Sequence, residues 1–235
     1  GMIGLSCYIL ADTFFVSKGL GTNGLTALNL AIPIYSFIHG SGLMIGMGGG
    51  TKYSIQKSQG EHRQANRVFT NAVYLAAMFA VVFVMIGIFF SGRIAAILGA
   101  DESVFEMTKT YLQVILLFAP AFLMNNVLLC FVRNDGAPQL SMAAMIGGSL
   151  SNVVLDYVFI FPCGMGIFGA AFATGLAPVI SMLILSWHFI RRKNQFHFTK
   201  CRPERKLAAA IFSSGLPSLI TEMSSGIVII VFNSI

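Results

Sequence analysis

Charge is the scarcest ingredient of this sequence. Asp, Glu, Lys and Arg make up 10% of the 235 residues, against about 25% in a soluble domain. At that level there is too little polar surface to cover a water-soluble globule. Cysteine is sparse too: four residues, Cys7, Cys130, Cys163 and Cys201, far apart and with no CxxC pair. That excludes a disulfide framework and a cysteine zinc site; Cys7 and Cys130 sit in apolar runs, where cysteine packs as a small hydrophobe. The histidines, His39, His62, His188 and His197, have no metal-ligand spacing, and none is read as a site. No Ser/His/Asp or Cys/His arrangement stands out, so the chain is not read as an enzyme. The first apolar stretch has no basic segment before it, so no cleavable signal peptide is expected. The formal net charge of +6 would suit a nucleic-acid partner, but the basic residues fall between apolar runs, as loop charges do. Nucleic acid is therefore discounted.

What is abundant is apolar sequence: 56% of residues, with a mean hydropathy of +0.78. The expected class is an all-α polytopic membrane protein. A spanning helix needs about 20 mostly apolar residues, and seven runs qualify as candidates. The first, Met2 to Val16, is short and starts abruptly, as if clipped. The others are about Leu25 to Gly50, Val68 to Phe90, Val104 to Val132, Leu140 to Phe161, Ile167 to Ile190 and Leu207 to Ile235. Pro120 predicts a kink in the fourth; Pro178 lies inside the sixth and Pro217 near the start of the seventh.

The basic residues orient these spans. Of the 15 Lys and Arg, 12 fall after the second, fourth and sixth spans, from Lys52 to Lys206, and Lys18, Arg93 and Lys109 fall in the other loops. The positive-inside rule then puts the even loops and the N-terminus in the cytoplasm. Glycines cluster in the second span (Gly40, Gly42, Gly46, Gly48, Gly49, Gly50) and at Gly147-Gly148. The Gly46–Lys52 stretch lacks the order of a phosphate loop; small residues that let membrane helices approach closely are the better reading.

Three acids lie inside apolar runs: Asp12, Asp156 and Glu222. The other six, Asp135 among them, lie in loops or at helix ends and are read as solvated. An ionisable group in hydrocarbon costs roughly 2.5–3.5 kcal/mol on insertion scales, so it usually faces a cavity and has a function. Asn152 stands four residues before Asp156, on the same helix face. The bland alternative is a carboxyl that hydrogen-bonds a neighbouring helix and only holds the bundle together. Thr174 bonds its own backbone one turn back in the simplest reading, and Asn125 and Asn126 satisfy neighbouring helices. The chemistry open to a carboxyl at membrane depth is exchange of a proton for a cation, because desolvation favours the neutral form. If the two forms prefer different helix arrangements, an ion gradient drives a substrate across.

In order along the chain, Ala11-Asp-Thr-Phe-Phe-Val-Ser17 with Gly19, Ala31-Ile-Pro33, and Gly42-Leu-Met-Ile-Gly46 through Gly50 resemble the start of the multidrug and toxic compound extrusion (MATE) transporters. Arg133-Asn-Asp-Gly-Ala-Pro138, Ser151-Asn-Val-Val-Leu-Asp156 and Gly164-Met-Gly-Ile-Phe-Gly-Ala-Ala171 extend the resemblance. It implies a six-helix lobe plus a seventh helix, half of a twelve-helix, two-lobe transporter. The implied division is a lobe over 1–190, a basic cytoplasmic loop over 191–206, and 207–235 as the start of a second lobe, in this or another chain. Asp12, Asn152, Asp156 and Thr174 match the family's cation- or proton-coupling cluster, and Glu222 is a possible additional acid. The implied activity is export of cationic or amphipathic small organic compounds in exchange for H+ or Na+, with no cofactor beyond that ion. The implied setting is the lipid bilayer of a cell (inner or plasma) membrane. Two alternatives stay open. One is a flippase for a lipid-linked precursor, disfavoured by the near absence of Arg and Lys within the spans. The other is a membrane fragment that does not transport.

Overall fold

The computed structural model describes the backbone of residues 2–233 and the side chains of residues 12–226. The described residues fold into seven helices and no strand: α1 (Met2–Ser58), α2 (His62–Ile97), α3 (Phe105–Leu117), α4 (Ala119–Asn134), α5 (Pro138–Ile160), α6 (Gly166–Ile190) and α7 (Arg205–Asn233). Four of them, α1, α2, α5 and α6, are long and apolar enough to cross a membrane, and α3 with α4 makes a fifth span bent by 47°. The packing role expected of Cys7 and the end of the seventh span at Ile235 lie outside the described residues.

The first two expected spans are one helix in the hydrogen-bonding sense, broken at Gly21. There the backbone turns to φ 68°, ψ −159°, a conformation only glycine adopts without strain. The arms on either side, residues 2–20 and 22–58, measure about 28 Å and about 55 Å at 1.5 Å per residue, so each reaches across the roughly 30 Å hydrocarbon core. The fourth span bends by 47° at Phe118, two residues before Pro120, the kink that the proline predicts, because its ring crowds the preceding turn. Pro120 sits in the first turn of α4, where its missing N–H leaves no intrahelical bond unmade.

Lipid-facing and lobe-facing sides separate by residue size. On α2, Val81, Val82, Met85, Ile88 and Phe89 are exposed, whereas Ala72, Ala76, Ala80, Gly87 and Ser91 are buried. Apolar side chains gain nothing by leaving lipid for protein, so close backbone approach of small residues becomes the packing device. Its tightest use is between α1 and α7. A Cβ on Gly48 would overlap the carbonyl of Ile211, and one on Gly215 would overlap the carbonyl of Met44. The glycines of 46–50 thus lie inside a helix and against α4 and α7, which removes the phosphate-loop alternative.

At the end of the bundle carrying most of the basic residues, segment 191–204 forms a strap rather than a free loop. Its Phe196 is fully buried against Tyr53, Phe69, Phe131 and Phe189. The backbone N–H groups of His197, Thr199 and Glu204 donate to Asn66, Thr70 and Asn71 of α2 at 2.8, 3.0 and 2.8 Å. Asp135, expected to be a solvated loop acid, is buried at the centre of this end. Its Oδ1 accepts from the Tyr53 hydroxyl at 2.6 Å and Lys57 Nζ at 2.8 Å. Its Oδ2 faces His188 Nε2 at 2.9 Å and accepts from the Gln195 N–H at 2.8 Å. The solvated reading of Asp135 fails because its partners come from α1, α6 and the strap, far away in sequence.

Candidate functional site

The inward face of α5 carries the site. Its buried residues, Ser141, Ala144, Gly148, Asn152, Asp156 and Ile160, recur every three or four positions and form one stripe. Upper and lower parts of that stripe are apolar or small; Asn152 and Asp156 are its polar middle. Asp156 is completely buried and Asn152 nearly so. From α6, Thr174 comes within 3.5 Å of Asn152 Nδ2, while its hydroxyl donates to the Ala170 carbonyl at 3.0 Å.

The first arm of α1 brings the second acid. Phe15 packs edge-on against Phe161 and tilted against Tyr157 of α5, and Gly19 leaves room for Ile160. Asp12, one turn before Phe15, is thereby buried and close enough to Asp156 for each carboxyl to feel the other's charge. Tyr111 of α3 completes the group: it is buried close to Thr174, Asp12, Asp156 and Tyr35.

The cluster is rich in acceptors and poor in donors. Asp12 Oδ1, Asn152 Oδ1 and both Asp156 oxygens are buried without a hydrogen-bond partner among the described residues. Buried polar atoms are nearly always paired, so four unpaired oxygens from two helices set this cluster apart from the rest of the lobe. Among the described residues no group of three His, Cys, Asp or Glu has metal-site geometry. The donor set is carboxylate, carboxamide and hydroxyl oxygen, which suits hard cations rather than transition metals.

Asp12, Asn152, Asp156 and Thr174 therefore lie together in the structure. Glu222 does not join them: it lies on α7, its Oε1 3.2 Å from Nδ1 of His39 on α1. Asn126 donates to the His39 carbonyl at 3.3 Å, and Asn125 Oδ1 is buried without a partner among the described residues. Sequence reasoning missed Tyr111, Tyr35 and His39. Tyrosine and histidine inside apolar runs are a weak signal, since both are common as half-buried packing residues.

The MatE family profile matches residues 1–158 of the chain. Over 228 residues the chain is 27% identical to the multidrug export protein MepA of Staphylococcus saprophyticus, covering 96% of this chain and 51% of that one. A solved inward-facing multidrug resistance MATE family transporter of the MOP superfamily superimposes with a TM-score of 0.85 at 30% identity, over 94% of this chain and 50% of that one. A MOP superfamily transporter from Pyrococcus furiosus, described as having a binding pocket of reverse polarity, gives 0.87 at 30% identity over 100% and 52%. The chain thus spans about half the length of the relatives it matches, and on its profile match and its fold it belongs to the MatE family of membrane transporters.

Proposed function

We propose that this chain forms the N-terminal lobe and seventh helix of a cation-coupled exporter of organic cations. The observation that carries the reading is the oxygen cluster of Asp12, Asn152, Asp156 and Thr174, with four acceptor atoms unpaired inside an apolar lobe. Two carboxyls that feel each other's charge in low dielectric do not both ionise readily. One proton, or one sodium ion, therefore relieves the repulsion and leaves again when the site opens to water of the other composition. Loading changes the charge on α5 next to the first arm of α1, and the break at Gly21 gives that arm a place to turn. Alternating access then needs a second lobe across a shared cavity. The division into lobe 1–190, basic loop 191–206 and the helix beginning at 207 follows from that plan. So does a multi-pass location with the basic ends in the cytoplasm. Relatives called multidrug export proteins support small organic compounds as the substrates, and the lack of basic side chains in the described cluster supports cationic ones.

The test is ethidium efflux from pump-deficient cells expressing the full-length gene product, wild type beside Asp156→Asn. The reading expects efflux in wild type and none in the variant at equal membrane levels. Equal efflux in both sinks the role of Asp156. Absence in both sinks the substrate class and favours transport of a lipid-linked phosphate.

A further inference from the structure

The basic end of α6 carries a feature unconnected with the acid cluster. Between Asp156 and Glu204 the sequence holds no acid, and Arg191, Arg192, Lys193, Lys200 and Arg202 all fall in that interval. Arg191, Arg192 and Lys193 are exposed side by side where α6 ends. Among the described residues no carboxylate lies within ion-pair distance of any of the three. Asp135, which His188 brings to this end of α6, is already committed to Tyr53, Lys57, His188 and the Gln195 N–H.

Water is the ordinary partner of exposed charges, and two observations set these apart. The first is the backbone. The N–H of Arg192 donates to the Phe189 carbonyl at 2.9 Å and that of Lys193 to the His188 carbonyl at 3.1 Å. This pair of bonds closes a helix through a left-handed residue, usually glycine. After α1, α2 and α4 that conformation falls to Gly60, Gly99 and Gly136. After α6 it falls to Arg192 at φ 52°, which among the described residues is the single positive φ outside glycine. A Cβ is crowded there, and strain of this kind gathers where a side chain holds a ligand.

The second observation is the surface beside the arginines. Leu183, Trp187 and Ile190 are exposed and, with Arg191, recur at spacings of four, three and one, which puts them on one helix face. Met142, Ile146 and Leu150 are exposed on α5, whose Gly147 abuts Ile184 of α6. Among the described residues α7 packs against α1 and α2 and not against α6. The apolar face of α5 and α6 is thus left to lipid, and Trp187 stands near its edge, at the depth where tryptophan concentrates in membrane proteins. The Arg191 guanidinium lies over the Trp187 ring, 4.6 Å from its centroid. That cation–π contact holds the charge at the margin of the apolar surface.

We infer that Arg191, Arg192 and Lys193 bind the headgroup of an anionic phospholipid whose acyl chains lie along the exposed face of α5 and α6. The guanidinium fork matches a phosphodiester, and the apolar face gives the lipid a hold that a free phosphate ion lacks. Bound there, the lipid pins the residues from which the strap leaves α6, one turn beyond the contact of His188 with Asp135. The inference rests on the multi-pass reading and is independent of the coupling ion and the exported compound.

The experiment places the full-length gene product in vesicles of phosphatidylcholine and phosphatidylglycerol, with one or the other lipid brominated. Bromine quenches a tryptophan it touches, so the quenching lost on Trp187→Phe reports the lipid seated beside Trp187. A basic residue at a membrane surface is worth about fivefold in affinity for anionic lipid. Wild type is expected to prefer phosphatidylglycerol by about 25-fold or more, counting the two arginines alone. Arg191→Gln and Arg192→Gly, each paired with its own Trp187→Phe form, should lower the preference about fivefold, the second although glycine relieves the backbone. Arg63→Gln, at an exposed position of α2, should stay within about twofold of wild type. No preference in wild type, a preference that survives Arg192→Gly, or an equal fall in Arg63→Gln overturns the inference and leaves the export reading intact. Absence of Trp187 quenching by either lipid overturns both the inference and the placement of this end of α6 at the membrane surface. Arg192→Gln serves as the second variant if Arg192→Gly does not fold.

Discussion

Replacing Asp135 by Asn keeps the side chain's size and removes its charge, at a position where four donors converge. A carboxamide has one oxygen. It either serves Tyr53 and Lys57 and turns its NH2 on His188 and the Gln195 N–H, or the reverse. A neutral His188 can accept from the new NH2, so one donor–donor clash remains and Lys57 loses its charged acceptor. Hydrogen bonds to charged groups are worth about 1.5–3 kcal/mol each, and an unsatisfied buried donor costs about 1–3 kcal/mol. A central figure of about 3 kcal/mol follows, which raises the population of the opened strap about a hundredfold. Lys193 and Lys200 lie on the strap, so limited trypsinolysis reads the opening directly. When opening is fast relative to cleavage, the rate tracks that population. The expected result is cleavage within 191–204 about a hundredfold faster than wild type, with α2 and α5 left intact. Cleavage within about threefold of wild type would refute the claim that Asp135 clamps the strap. Burial pushes the Asp135 carboxyl up, but Lys57, Tyr53, His188 and the Gln195 N–H together hold it below the usual carboxylate range. A lowered acid contributes stability in full above the ordinary carboxylate value and loses it only as pH falls through the lowered one. Asp135 therefore stays ionised at mildly acidic pH, and the wild-type strap stays protected there.

Three other outcomes are expected. Gly215→Val places a side chain where the Met44 carbonyl already lies; overpacking costs about 1–3 kcal/mol in adaptable cores, and a backbone obstacle puts this variant at the upper end, read as a lowered melting temperature that Gly215→Ser only partly restores. Cys163, exposed between α5 and α6, should react in intact cells with a membrane-impermeant maleimide when it is the only cysteine, whereas Cys201 alone should not; the reverse result inverts the orientation. Tyr111→Phe removes the hydroxyl beside Thr174 and the two acids with little change in packing, so the full-length gene product should fold normally and need a several-fold higher coupling-ion concentration for half-maximal export, one hydrogen bond being worth about 1 kcal/mol.

How much of this was legible in the sequence depends on distance along the chain. Asp12 and Asp156 declared themselves because a charge within an apolar run has no innocent solvated state. Asn152 followed from helical spacing. The partner of Glu222 did not, because His39 lies 183 residues away and resembles any half-buried ring. Asp135 was misjudged for the same reason: its surroundings in Arg133-Asn-Asp-Gly-Ala-Pro138 are those of a turn, and its partners stand 53 to 82 residues off. The bend at Phe118 was legible from Pro120, because proline has no N–H for the carbonyl four residues back and its ring crowds the preceding turn. Gly21 gave no warning among 24 glycines; only the backbone angle distinguishes it from those that serve close packing.

The central claim is that the buried oxygens of Asp12, Asn152, Asp156 and Thr174 couple an ion gradient to export. The most direct measurement is uptake of ethidium into inverted vesicles or proteoliposomes of the full-length gene product under an imposed proton or sodium gradient, for wild type, Asp12→Asn and Asp156→Asn. The account predicts that one of the two gradients drives uptake in wild type and that neither drives it in either variant. Gradient-driven uptake that survives both substitutions would contradict it.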